Sequence, residues 1–166
     1  MNAQVEFQWF SPLGISVLLF LLYGGIYVFI GSLAPVMVDS AIGRQILIIS
    51  PRTDALVFGD PPEKILQTNP ALAKFRTIIF NMLGGILVVA GILVIAVTWF
   101  GLRQGQAWAL AALVVAGIAV LPFWLIVFRP YFDAGVQFGL SDLPPVFWVP
   151  GFLLVPAFIL GFFGLR

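Results

Sequence analysis

The stretch that decides the fold is "TIIFNMLGGILVVAGILVIAVTWF", residues 77–100. It contains no Asp, Glu, Lys or Arg. At a rise of about 1.5 Å per residue, a helix of this length crosses the roughly 30 Å hydrocarbon core of a bilayer. Lipid offers backbone amides no partner, so the run is predicted to be a transmembrane helix. It lacks the alternation of polar and apolar residues that a barrel strand would show.

Three further runs share this character, at about residues 13–33, 107–128 and 145–165. The connection between the second and third runs is short, and a short connection forces neighbouring helices to run antiparallel. We therefore predict an all-α integral membrane protein with a single transmembrane domain over residues 1–166. Its fold is expected to be an antiparallel four-helix transmembrane bundle, with a long loop between helices 1 and 2 at residues 34–76.

The composition excludes most soluble folds and several chemistries. The chain is 61% hydrophobic and 9% charged, whereas a typical soluble domain is about 25% charged. Its net charge of +1 gives no basic excess, so we predict no nucleic-acid partner. It has no Cys and no His, which removes thiol nucleophiles, imidazole bases and imidazole metal ligands. We predict no catalytic residue, no metal site and no cofactor.

Capping side chains followed by proline mark helix starts. Such pairs are Ser11 with Pro12, Asp60 with Pro61, and Asn69 with Pro70. The helix from Pro70 is expected to run into residues 77–100. Between these signals lies "RQILIIS", residues 44–50, which is short and apolar. It fits either a strand or a segment at the membrane interface, and periodicity does not separate the two.

Small residues are expected to mark the helix contacts, because helices in lipid associate by close packing. They recur at helical spacing in each run: Gly24 and Gly31; Gly84, Gly91 and Thr98; Ala109, Ala112, Ala116 and Ala119; Ala157 and Gly161. We predict that these faces point into the bundle.

Prolines interrupt the last two runs at Pro122, Pro150 and Pro156. A proline removes a donor and clashes with the carbonyl four residues earlier, so each is expected to bend its helix. Static curvature is favoured over a gate.

Asn81 is the strongly polar side chain inside a run. It is expected to hydrogen-bond to a neighbouring helix, and this reading is favoured over a ligand contact. Together with Trp124 and Trp148, Asn81 makes up our set of candidate residues for a pocket that holds a hydrophobic ligand.

The third run ends in "FWLIVFRPYFDAG", residues 123–135. Arg129 and Asp133 lie four residues apart, as an ion pair on a helix would. Pro130 disfavours helical geometry at Arg129, so the helix is predicted to end there. Arg129 then serves as an interfacial anchor, which is favoured over a functional charge pair.

The distribution of Lys and Arg predicts the orientation. One side of the proposed bundle carries Arg44, Arg52, Lys64, Lys74, Arg76 and Arg129, and the other carries Arg103 and Arg166. Cytoplasmic loops are richer in these residues, so the long loop is expected in the cytoplasm and both termini outside.

The stretch "WFGLRQGQAWALAAL", residues 99–113, resembles small bacterial four-helix membrane proteins, the DoxX-like and related uncharacterised families. The resemblance covers the second hairpin and the four-span layout. It implies a multi-pass protein of the bacterial cytoplasmic membrane without clear enzymology, and it supplies no functional residues. The segment "FGDPPEKILQTNPAL", residues 58–72, has no place in it.

The function predicted from these features is a non-catalytic membrane component, an accessory or scaffold subunit of a membrane complex. The alternative is a bundle that binds a lipid, a quinone or another hydrophobic small molecule. Coupled transport usually needs an ionisable group within the membrane, and the four runs contain none. Catalysis needs positioned acid–base groups, and the carboxylates form no motif. The expected partners are the bilayer and other membrane-protein subunits or further copies of the chain.

Overall fold

The computed structural model describes residues 7–143 and 145–166, and this part of the chain is helical, with no strand. Its α-helices are α1 Pro12–Met37, α2 Pro51–Phe58, α3 Pro62–Thr68, α4 Pro70–Phe100, α5 Ala107–Ala119, α6 Leu121–Asp133 and α7 Pro145–Gly164. Short 3₁₀ turns lie at Gly43–Gln45, Leu102–Gln104 and Leu140–Asp142. The predicted all-α class is confirmed for the described residues.

Long apolar helices occur where the sequence predicts the first three spans. Within the described residues, Pro12–Met37, Pro70–Gln104 and Ala107–Asp133 are 26, 35 and 27 residues long and apolar enough to cross a membrane. A span needs about 20 residues. In α7 the described apolar stretch, Gly151–Gly164, is shorter. A fourth span, the bundle and its antiparallel order therefore stay predictions.

Two of the three predicted helix starts are confirmed. Ser11 Oγ accepts the Gly14 amide at 3.1 Å, at the start of α1. Asn69 Oδ1 accepts the Leu72 amide at 3.0 Å, and α4 then runs unbroken from the long loop into the apolar run.

The start predicted at Asp60 and Pro61 lies one residue too early. α3 begins at Pro62, and Pro61 stays extended, with φ −56° and ψ 137°. A residue that precedes a proline is disfavoured in the helical region, which explains the shift. Asp60 pairs with Lys64 at 2.6 Å instead of capping the helix.

The helix end predicted at Arg129 is wrong. α6 continues through Pro130 to Asp133, because the turn that follows the proline is held by the buried Tyr131, whose hydroxyl bonds to α2 at 2.7 Å. Tertiary contact here outweighs the local preference. Arg129 and Asp133 do face each other at 3.9 Å, but their side chains are 82% and 74% exposed, so they form a surface pair rather than a cavity pair.

The prolines of the last two runs differ in their effect. The helix breaks at Val120, between α5 and α6, two residues before Pro122. The bend expected at Pro122 itself stays a prediction. α7 continues through Pro150 and Pro156 without a break, so the bends expected there stay predictions.

The chain forms two compact units, and α1, α4 and α7 each contribute to both. The first unit contains the described residues through Val28, with Val89–Val120 and Val149–Arg166. Its core brings α1, α5 and α7 together through the buried residues Val17, Phe20, Leu102, Ala109, Leu110, Leu113 and Ala157. Ser16 Oγ donates to the Ala157 carbonyl at 2.6 Å, a buried bond between α1 and α7.

The second unit contains Phe29–Val88 and Leu121–Trp148. It includes the segment between α1 and α4, residues 38–69, which we call the connecting segment. A smaller core of Ile49, Tyr131 and Val136 joins this segment to α6 and the loop after it.

Glycines form close contacts between α1 and α4 in each unit. In the first unit, a Cβ added to Gly24 would lie 2.9 Å from the Gly91 carbonyl oxygen. In the second unit, a Cβ added to Gly84 would lie 2.8 Å from the Gly31 carbonyl oxygen. The predicted role of these four glycines as contact residues is confirmed.

The small residues elsewhere follow the prediction only in part. Thr98, Ala109, Ala157 and Gly161 are buried. Ala112, Ala116 and Ala119 are exposed, so the predicted alanine stripe of α5 is wrong beyond its first member. α5 turns Leu110 and Leu113 toward the core instead. Leucine makes far more van der Waals contact than alanine, which favours this rotation of the helix.

Alanine substitution at neighbouring glycines separates contact from helix propensity. We expect Gly24→Ala and Gly84→Ala to lower the free energy of unfolding by roughly 1–3 kcal/mol through overpacking. Gly25→Ala and Gly85→Ala add a Cβ that meets nothing within 4 Å. These controls should leave stability unchanged or raise it by up to about 1 kcal/mol. SDS titration in mixed micelles measures the difference, and equal effects at all four sites would contradict the contacts.

Candidate functional site

The connecting segment is organised around a buried carboxylate, Asp54. Ser50 caps α2 through the Thr53 amide, and Pro51 follows at the first helical position, which places Asp54 in the first turn. The Asp54 side chain is 0% exposed. Its oxygens accept the amides of three consecutive residues: Leu47 at 2.8 Å, Ile48 at 2.9 Å and Ile49 at 3.2 and 3.3 Å.

A fourth donor reaches Asp54 from α6. The buried Tyr131 hydroxyl donates to Asp54 Oδ1 at 2.7 Å. A buried charge is tolerated only when hydrogen bonds replace its hydration, and four donors do so here. The strand predicted as one alternative at residues 44–50 is absent: these residues form a 3₁₀ turn and irregular backbone that wrap around this carboxylate. The other alternative, a segment at the membrane interface, stays a prediction.

Arg76 has the complementary role near the start of α4. Its guanidinium is buried and donates only to backbone carbonyls. Nε bonds to Ile46 O at 2.7 Å, Nη1 bonds to Val38 O at 3.1 Å, and Nη2 bonds to Gly43 O. The guanidinium also stacks on the Phe80 ring, 4.7 Å from its centroid. Asp54 thus binds amides of the connecting segment, and Arg76 binds its carbonyls.

A third charged contact ties α2 to the loop before α7. Arg52 donates two hydrogen bonds to Asp142, from Nη2 to Oδ2 at 2.8 Å and from Nε to Oδ1 at 3.1 Å. Arg52 Nη2 also donates to the Gln137 carbonyl at 2.7 Å, and the Gly139 amide donates to Asp142 at 2.9 Å. The Arg52 guanidinium, assisted by the Gly139 amide, holds the pKa of Asp142 below its usual range.

A cleft of about 270 Å³ opens in the second unit beside Arg76. Its polar lining carries both signs of charge and comes from Asp39, Arg44, Glu63, Gln67, Arg76 and Thr77. Asp39 follows the end of α1, Glu63 and Gln67 lie on α3, and Thr77 lies on α4. This arrangement suits a small ligand that carries a positive and a negative group.

The candidate residues predicted from the sequence lie on three helices. Asn81 is on α4 and exposed, Trp124 is half-buried on α6, and Trp148 is exposed on α7. None of them lines the cleft beside Arg76, and their role in a pocket stays a prediction. The expected bond from Asn81 to a neighbouring helix is absent from the described part of the chain. Asn81 is rotated by about 60° from Gly84, the residue that faces α1, which turns it outward.

Asp54 and Arg76 are the residues that sequence reasoning missed. In the sequence, Asp54 is one of several carboxylates that form no motif. Arg76 is one of the positive charges that predict the orientation. A signal for Asp54 exists, since Ser50 and Pro51 start a helix with an acid in its first turn. No comparable signal marks Arg76, because its partners are backbone carbonyls up to 38 residues away.

Asp54 and Arg76 act as hydrogen-bond partners of the backbone in this site. The two most buried charges of the second unit are occupied by backbone groups and a tyrosine hydroxyl. Among the described residues, no group of three or more His, Cys, Asp or Glu side chains gathers where a metal ion could bind.

No protein-family model, curated protein or solved structure matches the chain. The resemblance of residues 99–113 to DoxX-like proteins therefore stays a prediction, and no residue role follows from it.

Replacing Asp54 tests whether its charge holds the connecting segment. Asp54→Asn keeps the shape but presents an NH₂ group to amide donors. Hydrogen bonds to charged groups contribute about 1.5–3 kcal/mol each, so we expect a loss of about 3 kcal/mol or more in SDS titration. Asp60→Asn is the control, because its ion pair with Lys64 is exposed and should contribute less than about 1 kcal/mol. Equal losses would contradict the role of Asp54.

The pair of Arg52 with Asp142 predicts an acid-dependent contribution. The folded pKa of Asp142 is lowered, so its contribution to stability is present above the unfolded carboxyl pKa of about 3.9 and is lost as pH falls through the folded value. The stability advantage of the wild type over Asp142→Asn should therefore shrink below about pH 4. Thermal unfolding in detergent from pH 7 downward measures it. Asp133→Asn, at an exposed 3.9 Å pair, should track the wild type at every pH.

Proposed function

We propose that the chain is a non-catalytic integral membrane protein that serves as an accessory or scaffold subunit of a membrane complex. The observation that carries this proposal is the use made of Asp54 and Arg76. Both side chains hold the backbone of the connecting segment through hydrogen bonds, which gives the segment one shape. A fixed, irregular segment between two apolar helices is what a docking platform requires.

The membrane part of the proposal is an antiparallel four-helix bundle in which α7 supplies the fourth span. The glycine contacts of the first unit support the antiparallel order of α1 and α4, because Gly24 lies beside Ile95 while Val28 lies beside Gly91. The residue numbers rise along one helix as they fall along the other. The bacterial cytoplasmic membrane is the proposed location, with the connecting segment on the cytoplasmic side because of its Lys and Arg content.

The platform exposes apolar side chains outside the candidate spans. Ile42, Ile48, Leu56 and Phe58 are all exposed, although they belong to a segment held by buried hydrogen bonds. A contiguous exposed apolar patch marks a protein–protein or membrane interaction site. A protein partner that buries Leu56 and Phe58 fits this surface, and these two residues are the proposed anchors on α2.

Photo-cross-linking in native membranes tests the scaffold role. A benzophenone amino acid at Leu56 or Phe58 should give a discrete adduct with one protein partner. The same probe at Leu125 or Ile126, exposed apolar positions on α6, should give mainly lipid adducts. Lipid adducts alone at all four positions would contradict a docking platform and place α2 on the bilayer surface.

The alternative function, binding of a lipid, quinone or other hydrophobic molecule near Asn81, Trp124 and Trp148, stays a prediction.

A further inference from the structure

The cleft beside Arg76 has no part in the scaffold role, and its lining carries both signs of charge. Arg44 is exposed, and its guanidinium makes no hydrogen bond or ion pair within residues 7–143 and 145–166. An anionic group can therefore bind Arg44 without displacing a contact. Arg76, fixed by its carbonyl partners, adds a second positive charge to the lining.

Two carboxylates, Asp39 and Glu63, also line the cleft. Asp39 accepts one bond, from the Thr77 hydroxyl at 3.1 Å, and Glu63 accepts one, from Gln67 at 3.3 Å. A carboxylate has about four acceptor positions, so both retain capacity. A primary ammonium carries three N–H donors, which is enough to serve two carboxylates.

The position of the cleft indicates where such a ligand comes from. Asp39 lies two residues after the end of α1, and Thr77 opens the apolar run of α4. If both helices cross the membrane, as proposed above, the cleft lies at the depth of lipid headgroups. The inference rests on this membrane crossing and not on the scaffold role.

We propose that this cleft binds a phosphoethanolamine group, the headgroup of phosphatidylethanolamine. Arg44 holds the phosphate in the positive field of Arg76, and Asp39 and Glu63 hold the ammonium. The volume of about 270 Å³ lies just below the range of about 300–1,000 Å³ for pockets that bury drug-sized ligands, which suits a headgroup.

The same chemistry discriminates between headgroups. Phosphatidylglycerol has no cation for Asp39 and Glu63. Phosphatidylcholine carries a quaternary ammonium without N–H donors, which proteins hold in aromatic cages. No aromatic side chain is among the described residues that line the cleft. Binding should therefore follow the order phosphatidylethanolamine first, with phosphatidylcholine and phosphatidylglycerol well below it.

Native mass spectrometry of the full chain, with the three lipids at matched acyl chains, tests the proposal. We expect phosphatidylethanolamine to bind about tenfold more tightly than the other two. Arg44→Gln and Glu63→Gln should each reduce that binding about tenfold, the effect of losing one charged hydrogen bond. Arg129→Gln and Asp133→Asn, exposed charges outside the cleft lining, should leave it unchanged. Equal affinity for the three lipids, or unchanged binding in the Arg44 and Glu63 variants, overturns the proposal.

Free phosphoethanolamine distinguishes the source of the ligand. If it binds alone in an Arg44-dependent manner, the cleft recognises the group outside a lipid, which supports the assigned chemistry. If free phosphoethanolamine does not bind while the lipid does, the cleft binds the headgroup only as part of a lipid. Extraction with alkaline carbonate tests the membrane crossing separately. If carbonate releases the chain, the proposed membrane function is contradicted. The binding test with free phosphoethanolamine then shows whether the cleft recognises this group.

Discussion

A single buried carboxylate determines the structure between the first two long helices. Asp54 collects the amides of Leu47, Ile48 and Ile49 and the hydroxyl of Tyr131. An uncompensated charge at this depth would be too costly to bury, so its four donors must come together for the segment to fold. Arg76 imposes the matching requirement on the carbonyls of the same segment, and the two side chains together leave its backbone little freedom.

The division of polarity along the chain follows from this constraint. The long apolar helices satisfy their backbone groups internally and need no charged side chains. The part of the connecting segment before α2 has no such regular ladder, and its amides at residues 47–49 and its carbonyls at Val38, Gly43 and Ile46 are satisfied by Asp54 and Arg76. Charges that would suggest catalysis in a soluble enzyme therefore serve as backbone partners here. The exposed apolar residues of α2 and the polar cleft are the surfaces that this arrangement leaves available.

Features that depend on local rules could be predicted from the sequence. Features that depend on residues far apart in the chain could not. The apolar runs, the caps at Ser11 and Asn69 and the glycine contacts follow from composition and spacing. Pro130 predicts a helix end, whereas the hydrogen bond from Tyr131 to Asp54 holds the helix beyond it. The alanines of α5 predict the wrong buried face of this helix, because the packing of Leu110 and Leu113 determines how the helix is rotated about its axis. The cleft could not be predicted from the sequence, since the charged residues that line it come from segments before and after α2 in the chain.

Hydrogen exchange of individual backbone amides, followed by NMR in detergent micelles, tests the central role of Asp54 most directly. The amides of Leu47, Ile48 and Ile49 lie outside any helix, and their protection depends on one carboxylate. We predict slow exchange in the wild type and exchange at least about 100-fold faster in Asp54→Asn, with unchanged amides in the middle of α4. Unprotected amides in the wild type, or equal protection in both proteins, would contradict the account.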